Sequence, residues 1–244
     1  MNRALVVFRR ELAGYFATPV AYVFIFIFLF VAGIFTFYLG GLFERGQADL
    51  QPFFAYHPFL YLFLIPAISM RMWAEERKSG TIELLLTLPL SLGAAVLGKF
   101  LAAWVFTAIA LCATFPVWIT VNYLGSPDNG TILASYVGSL LMAGAYLAIG
   151  SCISALTKNQ VIAFVVSVVV CFLFILSGMP VVIGFFEGWL PPGLLEVVSK
   201  ASFLTQYEAL VRGVLDARSI VFFLSMMAFW LVANALVLDA RKAS

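Results

Sequence analysis

The charged residues of this chain concentrate between residues 71 and 99, in the segment RMWAEERKSGTIELLLTLPLSLGAAVLGK. Its last part, 93–99, matches the G-x-x-x-x-G-K spacing of a phosphate-binding loop. Such a loop also needs a preceding strand and a Ser or Thr after the lysine, whereas Phe100 follows Lys99 here. We therefore reject a nucleotide site in this chain and interpret Lys99 as an interfacial anchor.

Other residue types that carry chemistry are sparse. The single histidine, His57, has no second candidate metal ligand beside it, and we interpret it as an interfacial side chain. Cys112, Cys152 and Cys171 are far apart in apolar runs, which favours small buried side chains over a disulfide or zinc site. We expect no catalytic residue, no metal site and no cofactor in the chain itself.

The composition places the chain in a membrane. Of the 244 residues, 64% are hydrophobic and 11% are charged, against roughly half and a quarter in soluble domains. Mean hydropathy is +1.06. A net charge of +2 offers no basic surface for nucleic acid. The fold class expected is an all-α integral membrane protein whose partner is the lipid bilayer.

Six long runs contain no Asp, Glu, Lys or Arg, and each is long enough to cross a bilayer core of about 30 Å as a helix. They are residues 20–42, 50–70, 100–124, 131–157, 159–186 and 219–238. Between the fourth and fifth, Lys158 marks a tight polar turn. With the N-terminus inside, ten of the fourteen Lys and Arg residues lie on the inner side, which predicts cytoplasmic N- and C-termini.

Three segments outside the spans divide the single transmembrane domain predicted for 1–244. In 1–17, the spacing of Leu5, Phe8, Leu12 and Tyr15 predicts an amphipathic helix on the inner membrane surface. This helix is either an anchor for the first span or a docking element for a cytoplasmic partner.

In the second segment, 71–99, Gly80 interrupts the helix that continues from the second span. Thr81 can cap a short apolar helix over 82–88, which ends before Pro89. Such a helix either transmits force from a soluble subunit or belongs to a solvated loop.

The third segment, 184–218, is predicted to lie outside as short helices over 194–200 and 205–212, the latter ending at Gly213. Pieces this short cannot cross the bilayer, so we expect them to dip in and return. Trp189, Phe203 and Tyr207 suit an interfacial depth. The segment is either an outer gate or an interfacial connector.

The segment 72–91, continued to Gly98-Lys99, resembles the inner-loop signature of the type-2 ABC transporter permeases, AEE-R-x-x-G-T-x-E-L-L-L-x-x-P-x-S followed by G-K. Residues 203–216, with Tyr207, Glu208 and Gly213, are similar to the outer connector of the gliding-motility-associated permease subunits. The resemblance implies six spans, a bacterial inner membrane, and a separate ATPase subunit that binds ATP and magnesium. It also implies pairing with a second copy or with a related permease, and it leaves room for an extracytoplasmic accessory protein.

The resemblance also assigns roles by position. It implies that the inner loop and the N-terminal helix dock the ATPase through Glu75, Glu76, Arg77, Gly80, Thr81, Ile82, Glu83, Leu84, Leu85, Leu88, Lys158, Arg9 and Arg10. It implies a pathway on the dimer axis lined by Phe59, Phe63, Ser69, Ser167, Cys171, Phe174 and Ser177. It suggests an outer gate at Tyr207, Glu208 and Gly213. Small residues of the fourth span, such as Gly144 and Gly150, permit close packing either between copies or within one copy.

The function predicted is therefore the permease subunit of an ATP-driven exporter that works by alternating access. Because the spans carry no ionisable side chain, an energy source inside the chain is not evident. Two alternatives stay open. One is an ATPase-linked assembly factor that acts on an extracytoplasmic protein, and the other is a self-sufficient channel or secondary carrier.

Overall fold

The computed structural model describes residues 3–82, 91–187, 189, 191–213 and 216–240. These ranges fold into helices, and no strand is formed within them. The helices are α1 Arg3–Phe16, α2 Pro19–Ile34, α3 Gln51–Ala55, α4 His57–Ser69, α5 Arg71–Ser79, α6 Leu92–Cys112, α7 Phe115–Leu124, α8 Asn129–Leu156, α9 Gln160–Leu176, α10 Pro180–Phe186, α11 Pro192–Lys200, α12 Phe203–Val211 and α13 Ala217–Ala240. A short π-helical stretch, Phe35–Leu39, extends α2.

Four continuous helical stretches of the described chain are long and apolar enough to cross a membrane: Pro19–Leu39, Leu92–Leu124, Asn129–Leu156 and Ala217–Ala240. A fifth is reached if α9 and α10 are counted together despite the 78° bend between them. The predicted second span, 50–70, is divided among α3, α4 and the turn before α5. The structure therefore confirms a multi-span helical fold, and the count of six stays a prediction.

The predicted continuous fifth span, 159–186, is wrong beyond Leu176. The chain bends there because Pro180 has no N–H group to continue the helix. Gly178 also lies so close to Ser202 that an added Cβ would be 2.5 Å from the Ser202 Cβ atom. The polar turn at Lys158 is confirmed, since Asn159 caps α9 by accepting from the backbone of Val161 at 2.9 Å.

Helix α8 is the centre of the bundle and packs against α4, α5, α6, α9, α12 and α13. Its glycines allow these close approaches. Beta carbons added at Gly138 and Gly144 would lie within 3.0 Å of Leu210 and Met227, respectively, and one at Gly150 would overlap Ser69. The small residues of the fourth span therefore pack within one copy, and the alternative of packing between copies is wrong for them.

Helix α1 packs along α6, and its position on the membrane surface stays a prediction. Val7 is buried against Gly98, where a Cβ would lie 2.7 Å from the Val7 Cβ atom. Leu5, on the predicted apolar stripe, is 43% exposed, so only part of the stripe lies on the face that packs against α6. Tyr15 remains on that face and stacks on Phe106 with ring centroids 5.0 Å apart.

The short helices of the third segment are confirmed as α11 and α12, with an additional helix, α10, before them. Phe203 and Tyr207 are buried in the protein core, so their side chains do not face lipid, and their interfacial depth stays a prediction. Trp189 is exposed. Among the cysteines, Cys152 and Cys171 are buried as expected, whereas Cys112 is exposed.

Candidate functional site

Helix α5 is the element that leads from α4 into the predicted coupling segment. It begins after Met70 and ends at Gly80, whose φ of 74° is left-handed, a conformation that glycine adopts without strain. The predicted interruption at Gly80 is thus confirmed. Arg71, Glu75 and Glu76 of this helix lie near Arg10 of α1 and Lys99 of α6, and we call this part of the molecule the charged end.

The first turn of α5 is held by a serine from α8. The Ser154 hydroxyl oxygen accepts from the backbone N–H groups of Trp73 at 3.1 Å and Ala74 at 3.0 Å. The same hydroxyl donates to the carbonyl oxygen of Met70 at 2.8 Å. Because the first N–H groups of a helix have no partner within it, Ser154 supplies from another helix what an N-cap residue normally supplies.

Trp73 extends this link to a third helix. Its side chain is fully buried, and its indole Nε1 donates to the Ser151 hydroxyl of α8 at 3.1 Å. That hydroxyl also accepts from the Asn234 side-chain amide of α13 at 2.7 Å. Buried polar groups are costly when they are unpaired. The network therefore fixes α5, α8 and α13 against one another.

Arg77 links the last turns of α5 and α8. Its guanidinium Nη1 donates to the carbonyl oxygen of Ala155 at 2.6 Å. The final carbonyls of a helix lack intrahelical partners and carry the negative end of its dipole, so a cation is favourable there. The predicted docking residue Arg77 thus has an internal contact that holds α5 to the end of α8.

Lys99 joins α1, α5 and α6. Its side chain is only 4% exposed, and Nζ lies 2.8 Å from Glu76 Oε1 and 3.2 Å from Glu11 Oε1. It also lies 5.2 Å from the centroid of the Trp73 ring, within reach of a cation–π interaction. The interpretation of Lys99 as an interfacial anchor is therefore wrong, because its charge is neutralised inside the protein.

The electrostatics of this cluster favour the ionised form of Glu11. Burial raises the pKa of Glu11, but the charges of Lys99 and Arg10 and their hydrogen bonds outweigh burial, so its pKa lies below the usual range. Arg10 Nη2 donates to Glu11 Oε1 at 2.6 Å. The cluster is therefore a set of ion pairs spanning three helices rather than a proton-transfer site.

The remaining predicted docking residues differ in accessibility. Arg9, Lys158 and Gly80 are exposed, and Ile82 packs partly into the core. The Glu75 side chain is 56% exposed and lies 3.6 Å from Arg71. The Thr81 hydroxyl lies 2.9 Å from that of Ser79. Glu83, Leu84, Leu85 and Leu88 lie outside the described residues.

The predicted pathway residues fall into two groups. Phe59 and Phe63 are exposed on α4. Ser69, Ser167 and Cys171 are fully buried between α4, α8 and α9. Phe174 stacks on Phe203 at 4.8 Å, and Ser177 donates to the Phe174 carbonyl oxygen. The structure thus does not bring these residues together on one surface, and their role as a pathway stays a prediction.

The predicted gate residues lie at the other end of α8, which we call the opposite end. The buried Tyr207 hydroxyl donates to the Phe54 carbonyl oxygen at 3.1 Å. Glu208 is exposed and lies 3.6 Å from Arg212. Gly213 has a φ of 84° and touches Thr131 so closely that a Cβ would overlap its hydroxyl. The contacts of Tyr207 and Gly213 tie α12 to the bundle, whereas the Glu208–Arg212 pair is local, and a gating role stays a prediction.

Sequence reasoning missed Ser151, Ser154 and Asn234, which hold the charged end together. The available signal was the Ser-x-x-Ser spacing of 151 and 154, which puts both hydroxyls on one helix face. Reasoning also misplaced His57, which is 1% exposed and packs edge-on against Phe53 with ring centroids 4.5 Å apart. Of the rings around it, those of Phe53, Phe54 and Tyr61 lie only three or four residues away in the chain, whereas Phe28 of α2 is distant.

The comparisons with known proteins agree with this architecture. The model of the family described as ABC-2 family transporter protein matches residues 18–238, which is most of the chain. No curated protein matched the chain. The matched region contains α2 to α12 and nearly all of α13, including α5 with its contacts to α6 and α8. The chain therefore belongs to the ABC-2 family of transporter proteins.

Proposed function

We propose that this chain, a membrane permease subunit of an ABC transporter, docks a separate ATPase at the charged end and uses α5 as the lever that moves α8. The observation that carries this proposal is the set of contacts between the two helices. Ser154 and Ser151 of α8 both bind Trp73 in the first turn of α5, and Arg77 of α5 binds the end of α8.

The docking surface consists of the exposed charges around α5 and on α1. Arg9, Arg10, Glu75 and Lys78 are exposed, whereas Lys99 is buried. The exposed charges are available to a soluble partner, and interfacial charges of this kind favour rapid and specific association. Glu76 and Arg77 support this surface from inside, because each already has a partner within the chain.

Force transfer follows from the stiffness of these links. A displacement of α5 must either move α8 or leave buried N–H, indole and carbonyl groups unpaired. Each such loss costs on the order of 1–3 kcal/mol. Moving the two helices together is therefore the less costly response. The pair Lys99–Glu76 extends the same argument to α1 and α6.

Two copies of the chain then expose a cavity alternately on the two sides of the inner membrane, which is the export cycle that we propose. Apolar side chains remain uncovered on α4 and α9, including Phe63, Val165 and Val169, each more than 50% exposed. A second copy covers part of this surface and lipid covers the rest. The ATPase binds ATP and magnesium, while this chain supplies the path.

A mechanical role is the second candidate. The opposite end exposes large apolar side chains, with Trp189 at 85%, Val181 at 84% and Phe185 at 72%. Exposed apolar surface of this kind suits contact with another protein. An extracytoplasmic partner that changes the rate of ATP hydrolysis, in the absence of a transported solute, would favour this candidate.

The test is affinity purification of the tagged chain from its native membranes, with mass spectrometry and an ATP hydrolysis assay. We expect an ATPase subunit to co-purify with wild type and to be lost from Glu75→Lys. The control is Glu196→Lys, because Glu196 is also exposed and paired four residues along its helix, with Lys200. Equal recovery of the ATPase with both variants would contradict the docking assignment.

A further inference from the structure

A deep cleft of about 690 Å³ lies between α1, α2, α4 and α5. This volume falls within the range of roughly 300–1,000 Å³ that is typical of ligand sites. Its walls over most of its length are apolar side chains of α2 and α4. These are Val20, Val23, Phe24 and Ile27 on α2, and Leu64, Ala67 and Ile68 on α4.

One end of the cleft is charged. Three cations and three acids border it there: Arg10, Arg71, Lys99, Glu11, Glu75 and Glu76. Arg71 Nε lies 3.6 Å from Glu75 Oε2, and Arg10 Nη2 lies 4.0 Å from Glu76 Oε1. The charges balance, so this end of the cleft suits a zwitterion better than a ligand with net charge.

The carboxylate of Glu76, at the charged end of the cleft, has one oxygen without a hydrogen-bond donor in the part of the chain that the structure describes. Its Oε1 atom pairs with Lys99, but the buried Oε2 atom has no hydrogen-bond partner among the described residues. A desolvated carboxylate oxygen without a donor is costly. A primary ammonium group at this end of the cleft would supply the missing donor through a charge-assisted hydrogen bond, once the carboxylate turns to bring Oε2 to the cleft surface.

We propose that the cleft binds one zwitterionic phospholipid with a primary ammonium headgroup, such as phosphatidylethanolamine. An acyl chain lies between α2 and α4, against Phe24 and Leu64. The phosphate contacts Arg71, whose side chain is 45% exposed, and the ammonium group contacts Glu76. A cleft with an apolar body and a charged mouth matches the amphipathic shape of this lipid. The inference requires the membrane location of the chain and is independent of the ATPase.

The headgroup chemistry makes the proposal specific. Phosphatidylcholine has the same net charge, but its trimethylammonium group has no N–H to donate. Phosphatidylglycerol has the phosphate but no cation for the acids. Because a single charge-assisted hydrogen bond is at stake, we expect phosphatidylethanolamine to bind about tenfold more tightly than either.

The experiment is native mass spectrometry of the delipidated full chain in detergent, titrated separately with these three lipids. A preference for phosphatidylethanolamine that Glu76→Gln reduces to the level of phosphatidylcholine supports the proposal. Equal affinity for all three lipids overturns it, since the cleft would then be an unspecific apolar surface. A preference for phosphatidylglycerol overturns the assignment of the ammonium contact.

A second pair of variants tests the location. Val23→Trp places a large ring in the cleft, and Val221→Trp makes the same change on α13 away from it. Both valines are exposed, at 54% and 62%, so both variants are expected to fold. We expect Val23→Trp to weaken lipid binding about tenfold because it fills the apolar wall, and Val221→Trp to leave it unchanged. Lipid binding by Val23→Trp that equals binding by Val221→Trp overturns the proposal. A disulfide between two copies of Val23→Cys also overturns it, because a second copy would then occupy the cleft.

Discussion

The two ends of α8 are stabilised by opposite means. At its first turn, Asp128 accepts hydrogen bonds from the Gly130 and Thr131 N–H groups at 2.9 and 3.2 Å. The side-chain hydrogen bond from Thr131, followed by these backbone bonds, holds the pKa of Asp128 below its usual range. At the last turn, Arg77 from α5 donates to Ala155. An acid at the start and a cation at the end both complement the helix dipole.

The two ends of α8 differ in how far away in the chain their stabilising residues lie. Asp128 is adjacent in the chain, and the opposite end is otherwise held by neutral contacts such as Tyr207 with Phe54. The charged end is held by side chains of five helices, α1, α5, α6, α8 and α13, including the buried pairs of Lys99. Buried charge gives little net stability but makes the loss of one partner severe. The charged end therefore ties several helices to one another, whereas the contacts of the opposite end are local or neutral.

The largest effect is expected from Lys99→Met. Removing the cation leaves Glu11 and Glu76 facing each other in a partly buried site. We expect the free energy of unfolding in detergent to fall by about 2–4 kcal/mol, somewhat less than for a fully buried pair. The measurement is denaturant unfolding followed by circular dichroism. Lys200→Met, which breaks the exposed pair with Glu196 at the opposite end, should cost less than about 0.5 kcal/mol. Similar losses in the two variants would remove the difference between the ends.

The second largest effect is expected from Ser154→Ala. It leaves the N–H groups of Trp73 and Ala74 and the Met70 carbonyl oxygen without this partner, and we expect a loss of about 1–3 kcal/mol. Ser225→Ala is the matched control, because that hydroxyl bonds an exposed carbonyl of its own helix. The same unfolding assay measures both. A loss confined to Ser225→Ala would contradict the capping role of Ser154.

Gly213→Ala probes the opposite end. Alanine at this positive φ would destabilise the folded state by about 1–2 kcal/mol. The contact of its Cβ with Thr131 would add to this loss. Gly46→Ala has a similar φ of 61° but open space around it, so it isolates the backbone cost. We expect Gly213→Ala to be the more destabilising of the two in thermal unfolding. Equal decreases in the unfolding temperature of the two variants would show that Thr131 moves aside without cost and that α12 is loosely packed.

The smallest expected effect is a dependence on pH. The pKa of Glu11 is lowered in the folded protein relative to about 4.5, its ordinary value. Its ionised form therefore stabilises the fold above that pH, and this contribution is lost as the pH falls through the lower folded value. Unfolding measured between pH 6 and pH 3 should show a shallower loss for Glu11→Gln than for wild type. A steeper loss in the variant would contradict the sign of the shift.

Local features of this fold were predictable, and long-range ones were not. The turn at Asn159, the end of α5 at Gly80 and the left-handed Gly213 follow from the chemistry of adjacent residues. The break after Met70 was missed because it depends on Ser154, which is distant in the chain. Lys99 was misplaced for the same reason. A lysine at the edge of an apolar run is typical of an interface, and only its acidic partners from α1 and α5 allow it to be buried.

Nucleotide-dependent hydrogen exchange of the chain bound to its ATPase tests the central claim, that α5 carries motion to α8. The account predicts that ATP changes the exchange of amides near Trp73 and near residues 151–156 together in wild type. In Ser154→Ala with the ATPase still bound, we expect the α5 amides to respond while those of α8 do not. A response of α5 without α8 in wild type, or an unchanged joint response in Ser154→Ala, would contradict the lever.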